Sequence, residues 1–273
     1  MTTVYVLGSG SGGNAFALVA GDEVLLIDAG FSAREIRRRA AQVGLDLERV
    51  VGLVLTHEHG DHTAGARRLA YSLRVPVIAT SGTWDRLRPR MPKAAFVPLV
   101  PMGRIRHGGF AIEACPTSHD AAESVALAVS TPDGNRIGIA YDLGRPTAGL
   151  RYLLRQSHLI VLEANHDEVL LRTSDYPASV QERIAGSSGH LSNRAAAELL
   201  TELLHPALHA VVLAHLSERC NSPEHARAQL APVLSDHRAT LHVALQGSPL
   251  EPFELGPTAP QGELLFDAAS GKR

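Results

Sequence analysis

Apolar residues fall along the chain in two alternating rhythms. Short blocks at 3–7, 15–20 and 23–28, β-branched or aliphatic and bounded by Gly, Ser or Asp, predict three opening strands. The rhythm then turns helical. Ser32 and Glu35 form an S-x-x-E capping box, Ile36, Ala40 and Val43 share a face, and Gly44 supplies the stop, which leaves Arg34, Arg37 and Arg38 on the wet side. A buried strand at 50–56 runs straight into the hexapeptide HEHGDH, and Ala66, Leu69, Ala70 and Leu73 mark a helix just after it. Strands near 75–79, 109–114, 124–130, 136–141 and 159–163 make a central meander. Ser192 or Asn193 caps a helix carrying Leu199, Leu200, Leu203 and Leu204. A strand at 210–214, a helix with Ser222 as cap and Pro223 at its first position, and a last strand at 240–245 follow.

Strands dominate each half and helices punctuate them, without a regular βαβ series or a short internal repeat. The expected fold is a single α/β domain over 1–255, a four-layer αββα sandwich of two mixed β-sheets with external helices. After Gly256 the composition turns to Gly, Pro, Ala and Lys without periodicity, so 256–273 is expected to be a flexible tail.

Composition narrows the class. With 45% hydrophobic and 20% charged residues the 273-residue chain is globular rather than disordered. Its first 21 residues lack charge but are broken by Gly8, Gly10, Gly12, Gly13 and Asn14 with no basic stretch before them, which argues against a signal peptide or membrane helix. Cys115 and Cys220 alone rule out a disulfide framework and fit a reducing cytoplasm. Net charge is 26 − 28 = −2, unevenly spread: residues 1–110 hold 14 − 9 = +5 and residues 111–273 hold 12 − 19 = −7. Between 84 and 106, Arg86, Arg88, Arg90, Lys93, Arg104 and Arg106 face only Asp85, as either a solvated loop or a set of contacts to backbone phosphates.

Fourteen histidines are more than a core needs, and three of them crowd into His57, Glu58, His59, Gly60, Asp61 and His62 at the end of a hydrophobic strand. In a tight loop His57 and His59 can point one way and Asp61 and His62 another, so this segment can serve two adjacent cations with nitrogen and oxygen ligands.

The hexapeptide resembles the H-x-H-x-D-H signature of the metallo-β-lactamase fold superfamily, and the later stations of that pattern follow in order. Asp28 stands in LLIDAG, His119 in PTSHD, Asp142 in IAYDLG and His215 in VVLAHLS. The resemblance implies that His57, His59 and His119 hold one metal, that Asp61, His62 and His215 hold the other, and that Asp142 bridges them. It places Asp28 behind a ligand histidine. Two divalent ions, zinc or manganese, are expected, since such N and O donors do not settle the element.

A finer resemblance, carried by GSGSGGN at 8–14, EANHD at 163–167, GHLSN at 189–193 and HLSERCNSPEHA at 215–226, is to the YycJ/WalJ-type branch, metal-dependent 5′ to 3′ exonucleases of bacterial DNA processing. His190, after two glycines, can approach a scissile phosphate as general acid, with Glu163 at a strand end orienting it and Asp61 holding the attacking water. Ser192, Asn193, Arg86, Arg88, Arg90 and Lys93 are expected to contact the nucleic acid. The chain departs from the branch where Gly12 and Gly13 stand in place of an expected Ser-Gly, and where Cys220 takes the first of two asparagines. The Gly-rich turn remains either a plain hairpin turn or a source of backbone N–H groups for a phosphate.

Spacing excludes some relatives. The 215 − 142 = 73 residues between Asp142 and His215 are too few for the inserted domain of β-CASP ribonucleases. The 142 − 119 = 23 between His119 and Asp142 leave no room for the projecting arm of a typical ribonuclease Z. A DNA exonuclease stands first. Ribonuclease Z-like RNA processing or hydrolysis of a small phosphodiester or thioester comes second, and a non-catalytic metal-binding scaffold for nucleic acid third.

Overall fold

The computed structural model describes residues 1–258 of the 273. Strands β1 (Thr2–Gly8), β2 (Ala15–Ala20), β3 (Glu23–Ile27), β4 (Val50–Val54), β5 (Val77–Ala79) and β6 (Phe96–Pro98) come first, interleaved with helices α1 (Ala33–Gln42), α2 (Gly60–Thr63), α3 (Ala66–Leu73) and α4 (Ser81–Leu87). Next are β7 (Arg104–His107), β8 (Phe110–Pro116), β9 (Val125–Ser130), β10 (Arg136–Ala140), α5 (Ala148–Leu154), β11 (Leu159–Glu163), α6 (Glu168–Arg172), α7 (Ala178–Ala185) and α8 (Asn193–Leu203). The chain continues with β12 (Ala210–Ala214), α9 (Pro223–Leu230), β13 (Thr240–Val243) and β14 (Phe253–Leu255).

These strands make two seven-stranded sheets, ordered β14-β1-β2-β3-β4-β5-β6 and β13-β12-β11-β10-β9-β8-β7. Each is half antiparallel and half parallel: β3 to β6 run parallel in the first, and β10 to β13 in the second. One apolar layer, including Val4, Phe16, Ile27, Phe110, Leu127, Ile139 and Val161, fills the space between the sheets. Two further layers seal the outer faces beneath the helices, with Leu26, Ile36 and Leu69 on one side and Leu162, Leu199 and Leu213 on the other. The αββα sandwich expected from the sequence is therefore the fold. Every residue of β10, β11 and β12 is buried, as strands covered on both faces require.

Local signals behave with one variation. Ser32 Oγ accepts the Glu35 amide at 3.2 Å, but the return half of the capping box is not made, because the Glu35 carboxylate pairs with Arg38 and Arg39 instead. Arg39 is buried, donating to Leu7 O at 2.8 Å with its guanidinium 3.9 Å from the Phe31 ring centroid. β13 is not the last strand: β14 returns to the edge of the first sheet and pairs antiparallel with β1, Thr2 opposite Leu255. Within the expected tail, Asn135 Nδ2 donates to Gly256 O at 2.9 Å and Thr258 N to Asp133 O at 2.9 Å. The remainder of the expected tail lies outside the described residues. Both cysteines are free and buried. Among the described residues no helix is long and apolar enough to cross a membrane.

Candidate metal centre

The histidines and acids singled out in the sequence converge where the parallel strands of both sheets end. β3 runs into Asp28, β4 into the hexapeptide, β10 into Asp142, β11 ends at Glu163 and β12 runs into His215. Asp28, Asp142 and His215 take left-handed backbone conformations, with φ of 56°, 56° and 57°. Side chains other than glycine rarely adopt that region, and strain of this kind collects at functional sites, where the surroundings hold it in place. Here the left-handed residue stops the strand and starts the loop that carries the site.

Three imidazoles form one cluster. His57 Nε2 lies 3.1 Å from His59 Nδ1, and His119 Nε2 lies 3.3 Å from the same atom. Two imidazole nitrogens on one tetrahedral zinc, each at about 2.0–2.1 Å, would be about 3.3 Å apart. The His119 Nδ1 donates toward Gly189 O at 3.3 Å, which leaves its Nε2 lone pair facing the cluster. Burial, followed by the neighbouring imidazoles, holds His57 well below its ordinary range, and burial also lowers His119. Neutral imidazoles with converging lone pairs are a donor set for a metal.

Asp61, His62 and His215 form a second cluster, with Asp61 Oδ2 at 3.2 Å from His62 Nε2 and 3.3 Å from His215 Nε2. Carboxylates fix both rings from behind. His62 Nδ1 donates to Asp28 Oδ2 at 2.7 Å, and His215 Nδ1 to Glu163 Oε1 at 3.0 Å. The His62 Nε2 lone pair is then 3.0 Å from Asp142 Oδ2, which is buried yet makes no hydrogen bond of its own. Electron-rich atoms this close repel unless a proton or a cation sits among them. Without a cation the burden falls on the rings: burial pushes His62 and His215 down, but the surrounding carboxylates lift His62 well above its usual range and His215 to about 10. The residues fit a divalent metal on both counts.

Asp142 lies between the clusters. Its Oδ2 faces His62, while its Oδ1 is 3.7 Å from His119 Nε2 and 3.4 Å from His190 Nδ1. Buried Glu163 is shared, accepting from His190 Nδ1 at 2.9 Å as well as from His215, and from the amides of Leu143 and Leu191. Burial pushes its carboxyl up, but His190 and His215 outweigh this and hold it at about 2.

Residues 24–216 match the family model described as the β-lactamase superfamily domain. The chain is similar to exodeoxyribonuclease YycJ of Bacillus anthracis, 31% identical over 238 residues that cover 85% of this chain and 88% of that one. It is similar to exodeoxyribonuclease WalJ of Streptococcus pneumoniae at 29% identity, over 80% of this chain and 83% of the relative. The chain belongs to the metallo-β-lactamase superfamily. Among solved structures, the metallo-β-lactamase fold protein YhfI of Bacillus subtilis superposes with a TM-score of 0.71 at 18% identity, over 92% of this chain and 100% of the other. As a member of this superfamily, in the YycJ/WalJ branch, the chain is a metal-dependent hydrolase that binds divalent metal.

In this metallo-β-lactamase fold the clusters open into a cleft of about 320 Å³, lined by His59, Asp61, His119, Asp142, His190 and His215 among others. Ser192 and Asn193 are not part of its lining. Ser192 is buried, caps α8 by accepting the Ala195 amide and donates to Glu168 Oε1 at 3.0 Å, while Asn193 exchanges amide hydrogen bonds with Asn221. Their polar atoms are engaged inside the protein, so their positions give no support to substrate contact. Arg86, Arg88, Arg90 and Lys93 are exposed on α4 and the turn after it, also outside the cleft.

The Gly-rich turn has an internal role as well. Gly12 N donates to Gln246 Oε1, Gly10 N to Asn14 Oδ1 and Gly13 N to Gly10 O, so these amides are not free for a phosphate. Asn14 Nδ2 comes within 3.2 Å of His62 Nε2, and Ser9 Oγ accepts the His215 amide at 2.9 Å. Gly30 is required nearby, because a Cβ there would sit 1.7 Å from Asp61 O. Sequence reasoning also missed Tyr141, whose hydroxyl donates to Asp28 Oδ2 at 2.7 Å, and Asn165, which donates to His215 O at 2.8 Å. Both flank residues already singled out, Tyr141 beside Asp142 and Asn165 in EANHD, and that adjacency was the available signal.

Proposed function

We propose that the chain hydrolyses phosphodiester bonds in DNA as a dinuclear metal-dependent exonuclease of 5′ to 3′ polarity, with zinc or manganese as the ions. The observation that carries this reading is the placement of His190 beside the two clusters. Its Nδ1 is committed to Glu163, so its Nε2 is the nitrogen left to act in the cleft. His57, His59 and His119 would hold one ion, Asp61, His62 and His215 the other, and Asp142 both. When bound, such a pair makes water a competent nucleophile near neutral pH and offsets the charge developing on the phosphoryl oxygens.

The chain's own residues supply the rest. Asp61, with a quarter of its side chain exposed (25%), accepts a hydrogen bond from the attacking water and orients it. His190 gives a proton from Nε2 to the departing sugar oxygen, and Glu163 holds the ring through Nδ1 so that Nε2 is the nitrogen turned to the cleft. Asp28 and Glu163 keep His62 and His215 in the tautomer that turns Nε2 toward the centre. The similarity to exodeoxyribonucleases YycJ and WalJ supports nucleic acid as the substrate class and DNA as its first member.

An activity panel tests the reading. End-labelled duplex, single-stranded and flap DNA, RNA and a small phosphodiester are offered to chelator-stripped protein to which each metal is returned in turn. Stepwise mononucleotide release from DNA 5′ ends is the expected result. Cleavage of RNA alone, or of a thioester with no phosphodiester turned over, would overturn it. In parallel, His59→Ala and Asp142→Ala should stay folded with metal content lowered and hydrolysis nearly abolished. Normal turnover by both, with the metal gone, would remove the dinuclear centre from the mechanism.

A further inference from the structure

One part of the cleft lining comes from α7 and the residue just before its cap, and its chemistry is unlike the rest. Val180 and Ile184, four residues apart, share one face of α7, and Tyr176 joins them from just before its cap. All three are half-buried and line the cleft, although α7 itself has no buried residue. An apolar stripe that faces a polar site rather than the core has a ligand to cover it more readily than a packing role. Arg183 lies on the rim of the same cleft, 71% exposed at its side chain, with Nη1 3.5 Å from Asp120 Oδ2. The guanidinium of Arg219 lies 4.9 Å from the Tyr176 ring centroid, a cation–π contact at the edge of this wall.

This wall is also fastened to the groups that would do chemistry. His190 N donates to Ile184 O at 2.8 Å, and a Cβ on Gly189 would lie 2.1 Å from Arg183 O, so the end of α7 packs directly on the segment bearing His190. At about 320 Å³ the cleft is at the small end of the range of ligand pockets, roughly 300–1,000 Å³, room for one nucleotide unit rather than a duplex.

We infer that α7 forms a nucleoside subsite: Tyr176 stacks on the base of the nucleotide being released, Val180 and Ile184 cover its sugar, and Arg183 exchanges Asp120 for a phosphate. This rests on the phosphodiesterase reading above and names the part of the substrate it recognises beyond the reacting phosphate. A flat apolar moiety joined to an anion is the ligand that matches a cleft with an aromatic and aliphatic wall, an exposed guanidinium and a centre that would hold cations. Such a cleft grips a terminal nucleotide, the demand that release from a strand end makes.

The test compares two esters with the same leaving group, thymidine 3′-(p-nitrophenyl) phosphate, whose scissile phosphate lies on the 3′ side as it does for a nucleotide released from a 5′ end, and methyl p-nitrophenyl phosphate, on metal-loaded protein. Tyr176→Leu keeps bulk without a π-face, and Tyr176→Phe keeps the face. Tyr176→Leu is expected to raise KM for the nucleoside ester roughly 5- to 150-fold, the usual weight of one stacked base, and to leave the methyl ester and the metal content unchanged. Tyr176→Phe should behave as wild type. Arg183→Gln should raise KM about tenfold or more for a dinucleotide bearing a 5′-phosphate and have little effect on its 5′-hydroxyl counterpart. If wild type hydrolyses neither ester, the phosphodiesterase reading is what fails. If it hydrolyses both and Tyr176→Leu shifts both equally, or neither, the nucleoside subsite is wrong and α7 is only a support for His190.

Discussion

Four histidines of the site, His62, His119, His190 and His215, are two-ended devices, and the end turned away from the centre decides what the other can do. Asp28 behind His62, Glu163 behind His215 and His190, and Gly189 O behind His119 commit one nitrogen each and leave the other aimed at the site. Glu163 is the most consequential, because one buried carboxylate serves a candidate ligand and the candidate acid together. The two roles separate by substitution. His190→Ala is expected to retain both metals and to slow turnover of DNA by roughly 100- to 10,000-fold, the usual effect of losing a general acid. On a p-nitrophenyl ester, whose leaving group needs no proton, the loss should be much smaller. Equal impairment on both substrates would make His190 structural. Glu163→Gln, by contrast, should lower metal content as well as rate, since it loosens His215.

At the level of elements, the same sequence feature can serve structure where function was expected. Ser192 and Asn193 follow His190 in GHLSN, yet the first caps α8 and the second pairs with Asn221. Ser192→Ala should therefore cost about 0.5–2 kcal/mol of stability in urea unfolding and leave KM for DNA unchanged. A raised KM at unaltered stability would return Ser192 to the substrate. Strands and caps were legible because their signals are local. The block at 159–163 and the Ser222-Pro223 start sit where hydrophobic periodicity and capping chemistry place them. Elements whose reason is distant were not. β14 is three residues long and exists because β1 offers it an edge, and α7 has no fully buried residue, so it carries no core signature. The metal-cluster residues were legible for the opposite reason, since three histidines and two acids in six residues have few other uses. Asn14, Tyr141 and Asn165 were not, because a single polar residue gains its meaning only from the partner the fold brings to it.

Over the whole molecule the charge division becomes spatial. The residues up to 98, from the cation-rich half, form the first sheet apart from β14, and the helices that cover it, α1, α3 and α4. Arg86, Arg90 and Lys93 have no acidic partner among the described residues, and Arg88 has only Asp85, at 3.5 Å between two largely exposed side chains. The backbone amide of Lys93 donates to Tyr71 Oη at 3.1 Å, which ties this segment to α3, and Tyr71 lines a groove with Arg37, Arg67 and Arg68. Exposed cations on one outer layer, most of them unpaired, suit a strand whose end enters a cleft sized for a single nucleotide while its backbone crosses the surface. Replacing Arg86, Arg88, Arg90 and Lys93 with Gln should weaken DNA binding irrespective of sequence and leave hydrolysis of methyl p-nitrophenyl phosphate intact. The log-log dependence of affinity on salt should flatten by up to about 0.9 for each phosphate that is no longer neutralised on duplex, or about 0.7 on single strands. The measurement is a salt titration of fluorescence anisotropy on labelled oligonucleotides, wild type against the fourfold variant. An unchanged slope would make this segment a solvated face and leave the strand to be held by the cleft or by the cations of α1 and α3.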